Sequence, residues 1–234
     1  VARLAPANDE IKLILTGIID FDAGAVTDEP QFSLEDARLV VQTARDCGRQ
    51  VFAHCSGLKG LEIAARAAVG SIEHGFFMNR DILGLMCDHE VAWTPTFCPV
   101  HFQWAHPEAV GWSAQTVGHL RRILDDHARH LVMAHEMGVT LLLGTDAGSM
   151  GVEHGHAVFD EIDRFAEAGL PLQAILHAAS TAPRRHFARM AGLEQARSEG
   201  LTLAAGAPFD AVLLASSPFV DRAALRQPLA TWVL

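Results

Sequence analysis

Short apolar runs alternate with stretches of helical periodicity along this chain, and that alternation predicts a parallel sheet with helices outside it. Ile11–Leu15 reads as a strand. Ser33-Leu-Glu-Asp36 has the form of a capping box and opens a helix to about Cys47, where Gly48 stops it. Gln50–Ala53 is the next strand and Leu58–Ala68 the next helix, which Gly70 ends before a strand at Ser71–Glu73. Asn79–Cys87 is helical, Val91–Thr94 is extended up to Pro95, and Ser113 to Gly138 forms a long helix with a polar face rich in Arg and His. Val139–Gly144 closes the set of strands. Helices follow near Ala157–Ala168, Leu172–Ala179 and Ala182–Met190.

Five βα units fall short of the eight strands and about 250 residues of a closed (β/α) barrel. The expected fold class is α/β, an incomplete (β/α) barrel of TIM type over residues 1–198. The tail changes character: Gly206-Ala-Pro-Phe-Asp-Ala-Val-Leu-Leu reads as a turn into a hairpin strand, with Pro218 beyond it. Residues 199–234 are therefore expected to supply β-strands of a small flanking β-domain.

Composition narrows the function. The 234 residues, 50% of them apolar, can build one sizeable core. A formal net charge of −10, with no Lys/Arg run longer than two, argues against a nucleic-acid partner. No apolar run is long enough to span a bilayer, so no membrane partner is expected. The four cysteines lack C-x-x-C spacing, which counts against a zinc ribbon or a thioredoxin motif and suits a reducing, cytoplasmic setting. Tyr is absent, so no phenol can serve as an acid or oxyanion donor. Val1 is not an initiator residue, and Leu229–Leu234 stops in mid-strand pattern; the sequence is expected to be cut at both ends.

Three runs carry the chemistry: Val51-Phe-Ala-His54, Ser71-Ile-Glu-His74-Gly75 and Leu141-Leu-Leu-Gly-Thr-Asp146. Each ends an apolar strand in a metal-capable side chain followed by small residues, which is how barrel strands deliver ligands to a shared mouth. Neutral imidazole is a good ligand for zinc and similar ions. Asp146 can bind such an ion and take a proton from water whose pKa the metal lowers to about 7; it can equally cap the turn at Gly148. Lys12 sits within the apolar run Ile11–Leu15. Burial near metals would lower its pKa from about 10.4 and let the amine form a carbamate; alternatively it snorkels from an edge strand.

The order Ile-Lys…Thr-Gly, Phe-Ala-His-Cys-Ser-Gly, Ser-Ile-Glu-His-Gly, Pro-Thr and Gly-Thr-Asp-Ala-Gly resembles the amidohydrolase superfamily, in particular its prolidase-like and imidazolonepropionase-related branch. The tail Gly206-Ala-Pro-Phe-Asp210 is similar to that family's returning segment, with Phe209 in place of the usual Ala. The resemblance implies a chain covering about strands 4–8 of a barrel. It makes Lys12 a carboxylated strand-4 lysine bridging two metals, and His54 and His74 ligands of the second metal. Thr94-Pro-Thr96 marks strand 7. Asp146 becomes the strand-8 ligand and general base and acid, and His154, in the loop Gly148–His156, contacts substrate. A divalent metal of zinc type, two per full-length chain, is implied, with a small molecule as substrate and room for a homo-oligomer.

The family's strand-1 His-x-His has no counterpart before Lys12; His154-Gly-His156 lies after the strand-8 Asp. The full-length parent is thus expected to hydrolyse amide-type bonds, as in a dipeptide, an acylated amino acid or a cyclic amide, and this chain alone to be inactive. Two alternatives stand beside that reading. A mononuclear deaminase would want Glu where Gly57 stands, and a truncated paralogue would fold or bind without turnover.

Overall fold

The computed structural model describes residues 1–190, 205 and 211–232. Four strands, β1 (Glu10–Ile14), β2 (Gln50–Cys55), β3 (Ser71–His74) and β4 (Ala92–Thr94), form one parallel sheet in chain order. The helices between them are α1 (Leu34–Asp46), α2 (Leu58–Arg66) and α3 (Arg80–Asp88). Two of them start where a side chain can take up a free amide. Ser33 Oγ accepts from Asp36 N–H at 3.1 Å, and Asn79 Oδ1 accepts from Ile82 N–H at 2.9 Å.

Register decides which side chains share a face. Ile11 and Leu13 point with Val51, Ala53 and Cys55 into the main core, which also takes Ala37, Val41, Leu61, Ala64 and Ala65 from α1 and α2. Each such fully buried Leu or Ile is worth about 2 kcal/mol over an exposed one. The opposite face aligns Lys12 with Phe52, Ile14 with His54, His54 with Glu73 and Glu73 with Thr94. This second face is the polar one. β1 lies at the sheet edge, and Lys12 and Ile14 there are exposed.

Two segments differ from expectation after β4. A helix α4 (Cys98–Ala105), with Pro99 in its first turn, and a short α5 (Pro107–Val110) fill a stretch that had no predicted element. The expected strand at Val139–Gly144 shrinks to a single parallel bridge between Trp93 and Leu141. Trp93 N–H donates to the Thr140 carbonyl at 2.9 Å, and Leu142 N–H donates back to the Trp93 carbonyl at 2.8 Å. The ladder stops there because the next amide, Leu143 N–H, bonds the Ala178 carbonyl at 2.9 Å.

Ala178 belongs to a π-helical turn, His177–Thr181, between α8 (Leu172–Leu176) and α9 (Ala182–Met190). The predicted helix Leu172–Ala179 is thus a short α-helix running into a π-turn. The long α6 (Ala114–Met137) and α7 (Ala157–Ala168) match their predicted spans, with Ser113 capping the first and Gly138 ending it at φ 84°. At the C-terminal end β5 (Ala211–Leu214) and β6 (Pro228–Trp232) pair antiparallel, as the hairpin reading requires. The expected boundary at 198/199 and the turn Gly206–Asp210 lie outside the described residues. Among the described residues no helix is long and apolar enough to cross a membrane.

Candidate functional site

The exits of β2 and β3 bring two imidazoles together. His54 and His74 stand edge to face, ring centroids 4.6 Å apart at 67°. His74 reaches this position because the backbone turns left-handed there, φ 68°, and again at Gly75, φ 65°. A Cβ at Gly75 would lie 2.4 Å from Trp93 Nε1, so only glycine lets the turn close over the indole. Trp93 Nε1–H in turn donates to the His74 carbonyl at 2.9 Å.

The left-handed region recurs at Thr96, φ 54°, and Asp146, φ 51°. His74, Thr96 and Asp146 are three of six non-glycine residues in that region among the described residues, and each such conformation costs about 1–3 kcal/mol, so surrounding structure must hold it. Thr96 Oγ1 lies 2.7 Å from His74 Nδ1. Asp146 is exposed and accepts from the Ser149 hydroxyl at 3.0 Å, a contact inside its own turn.

Lys12, His54, His74, Thr96, Gln103 and Asp146 line one pocket of about 350 Å³. A larger groove of about 860 Å³, bordered by α2 and α3, shares no lining residue with it. Of the predicted site residues, the fold gathers Lys12, His54, His74 and Asp146. Lys12 is exposed, with Nζ 5.6 Å from the Phe52 ring centroid. His154 is not gathered: it is exposed, absent from the pocket lining, and faces the backbone at Gly148.

Burial disfavours the charged form of both imidazoles. Burial lowers the pKa of His54, with Lys12 adding to the effect, while a hydrogen bond to the Gly17 backbone and the Asp146 charge oppose it. Burial, then the neighbouring His54, pulls His74 down to about 4, against the pull of Asp146. A neutral imidazole keeps a lone pair for a metal, so the donor chemistry fits a divalent ion. Among the described residues, however, no three His, Cys, Asp or Glu side chains converge to hold one. The fold supplies an imidazole pair, with Asp146 and Lys12 lining the same pocket.

Sequence reasoning missed three supports. Glu73, on the polar sheet face, accepts from Ser71 Oγ at 2.5 Å; burial raises its pKa while Ser71, Thr94 and Lys12 oppose the rise. His127 is fully buried in α6, stacked on Phe76 with centroids 4.0 Å apart, and its Nε2–H donates to the Pro95 carbonyl at 3.0 Å. Glu161 is fully buried in α7 and accepts from Phe97 N–H at 2.7 Å and Cys98 N–H at 3.0 Å. Both lie on buried helix stripes, His127 with Leu120, Ile123, Leu124 and Leu131, and Glu161 with Ala157, Ile162 and Phe165. A polar residue at an apolar position of the helical repeat was the available signal.

Parallel βα units that carry imidazoles and a carboxylate from their strand exits into one pocket are the arrangement of proteins of the (β/α)-barrel type. The chain belongs to the amidohydrolase family, whose model matches residues 1–233. It is 30% identical over 172 residues to an uncharacterized protein of Mycobacterium tuberculosis, covering 74% of this chain and 46% of that one. It is 27% identical over 202 residues to ochratoxinase of Aspergillus niger, covering 86% and 39%. Among solved structures it resembles a Xaa-Pro dipeptidase with methionine bound in the active site. That match has a TM-score of 0.77 and 25% identity, over 98% of this chain and 54% of the other. The chain thus spans about half the length of the relatives it matches.

Proposed function

We propose that this chain carries the second-metal half of a hydrolase site for amide-type C–N bonds, residues 1–198 forming strands 4–8 of a (β/α) barrel and 199–234 part of a flanking β-domain. The observation that carries the reading is the His54–His74 pair, 4.6 Å apart and opening into a pocket shared with Asp146 and Lys12. In this reading both histidines would hold a divalent ion of zinc type, and Lys12, as a carbamate, would contribute to the same metal centre. Such an ion would supply Lewis acidity at the carbonyl of the amide whose C–N bond is broken.

The chain's own residues do the rest. Asp146, exposed at the pocket, accepts a proton from the attacking water and delivers it to the leaving nitrogen. Gln103 lines the pocket from α4, its amide oxygen held by Trp112 Nε1–H at 3.2 Å. His154 would reach substrate only if its loop folds inward. A dipeptide is the substrate class favoured by the resemblance to a Xaa-Pro dipeptidase, and an acylated amino acid presents the same kind of amide.

The test is metal content together with turnover. Zinc titration of the chain should give tight binding that His54→Ala and His74→Ala each weaken at least tenfold. Chelator-sensitive hydrolysis of Xaa-Pro dipeptides or N-acyl amino acids by the protein should depend on the same residues. A chain that binds no ion, in a protein that cleaves none of these, would sink the reading in favour of a non-catalytic one.

A further inference from the structure

We propose that Glu161 is a positioning residue for His74, acting through the Phe97 and Cys98 amides and the Thr96 hydroxyl. The proposal rests on the reading of His74 as a metal ligand and adds the device that aims it. Thr96 sits in the left-handed region, where a β-branched residue is a genuine outlier. Something must hold it there, and both adjoining peptides are pinned from other elements. Ahead of Thr96, the Pro95 carbonyl accepts from His127 Nε2–H of α6 at 3.0 Å. Behind it, Phe97 N–H and Cys98 N–H donate to the two Glu161 oxygens of α7 at 2.7 and 3.0 Å.

With its neighbours fixed, Thr96 points its Oγ1 at His74 Nδ1, 2.7 Å away. A proton on Nδ1 donated to that oxygen leaves Nε2 as the lone-pair nitrogen. Such an outer hydrogen bond selects the tautomer and ring angle of a ligating histidine, and losing it typically costs 10–100-fold in metal affinity. The choice of a carboxylate at 161 follows from the donors it meets. Two amide N–H groups need two acceptor oxygens, and Gln would turn an NH2 group against one of them. Burying a carboxylate among Cys98, Phe97 and Phe165 is costly, as its pKa of about 7 reflects.

The alternative role for Glu161 is to start α4 and nothing more. It predicts lost stability but no change in the His74 ring. The experiment is long-range 1H–15N spectroscopy of the metal-free chain labelled with 15N-histidine, with His74 assigned through His74→Gln, followed by zinc titration. The native chain should show His74 as the Nδ1–H tautomer. Thr96→Val and Glu161→Gln should each move it toward Nε2–H and weaken zinc binding about tenfold, and Thr96→Ser should restore both.

If Glu161→Gln does not fold, Glu161→Asp, which withdraws the carboxylate by one methylene, takes its place with the same expectation. A shift in Thr96→Val without one in the Glu161 variant overturns the proposal, as does a native chain already in the Nε2–H form. If the tautomers shift as expected but His74→Ala leaves zinc affinity unchanged, the ligand reading fails while the positioning chain stands.

Discussion

The indole N–H of Trp93 donates to the main-chain carbonyl of His74, so the most buried aromatic of the sheet holds the turn that presents a site histidine. The same residue bonds Thr140 and Leu142 through its backbone and so joins that turn to the exit leading to Asp146. Gly75 is what lets the indole approach. Gly75→Ala places a methyl 2.4 Å from Trp93 Nε1 and 2.9 Å from Met78 Cε, at φ 65°. Left-handed strain of about 1 kcal/mol and overpacking of about 1–3 kcal/mol add to an expected loss of about 2–4 kcal/mol. Urea unfolding followed by tryptophan fluorescence measures it; a loss below about 1 kcal/mol would mean the indole has room to withdraw.

Asp146→Asn separates chemistry from backbone strain. Asn tolerates the left-handed region nearly as well as Asp, and its amide oxygen can still accept from Ser149. It cannot take up a proton. In the full-length protein hydrolysis should fall about 10²–10⁴-fold, with the unfolding midpoint nearly unchanged. Retention of more than a tenth of the activity would remove Asp146 from the proton path.

Glu161 gives the fold a pH signature. Burial pushes its carboxyl from 4.5 to about 7, although hydrogen bonds from Cys98 and Phe97 and the charge of Arg164 pull the other way. A raised carboxyl pKa means the folded state holds the proton more tightly. Its stabilisation is complete below about 4.5 and is lost as pH rises through about 7, at about 1.4 kcal/mol per unit. Gln at 161 does not titrate. The cost of Glu161→Gln should therefore be greatest near pH 5 and shrink by about 3 kcal/mol by pH 8, read from urea midpoints across that range. A cost independent of pH falsifies the buried titration.

His127 acts in the opposite sense. Burial, with His130 and His74 adding, pulls its pKa to about 3 against the Pro95 hydrogen bond. The unfolded chain then takes up the proton first, so stability is lost as pH falls from about 6.5 toward 3. His127→Gln keeps a donor for Pro95 but cannot charge. It should be less stable than the native chain at pH 7.5 and lose less on acidification to pH 5. Parallel pH curves for the two proteins would exclude His127 as the acid-sensitive group.

What was legible in the sequence is what local chemistry determines. Ser33, Asn79 and Ser113 mark helix starts because one side-chain oxygen meets an amide three residues on. His54 and His74 were visible because short apolar runs end at them. Glu161 and His127 were not, since their partners lie 64 and 32 residues away and only folding brings them together. The fifth strand was overread for the same reason: an apolar run predicts extension, but the amide of Leu143 is claimed by Ala178, whose carbonyl the π-turn presents.

The C-terminal segment offers a final test of what holds it. Arg222 Nε bonds Asp163 Oδ1 at 2.7 Å, and Arg226 reaches Asp163 Oδ2 at 2.6 Å and Asp160 at 2.9 Å. Asp163 thus ties the turn before β6 to α7, the helix that also carries Glu161. The arginine side chains are 41% and 39% exposed, so the pairs are partly screened, and each is worth about 1 kcal/mol. Asp163→Asn should speed hydrogen exchange across Arg222–Trp232 while lowering global stability by less than about 1 kcal/mol, and high salt should erase the difference. A global loss of several kcal/mol, insensitive to salt, would instead mean that this segment is folded as one unit with the core of α7. In that case the carboxylate of Asp163 is holding the helix on which Glu161 depends, and the tautomer of His74 should change in Asp163→Asn as well.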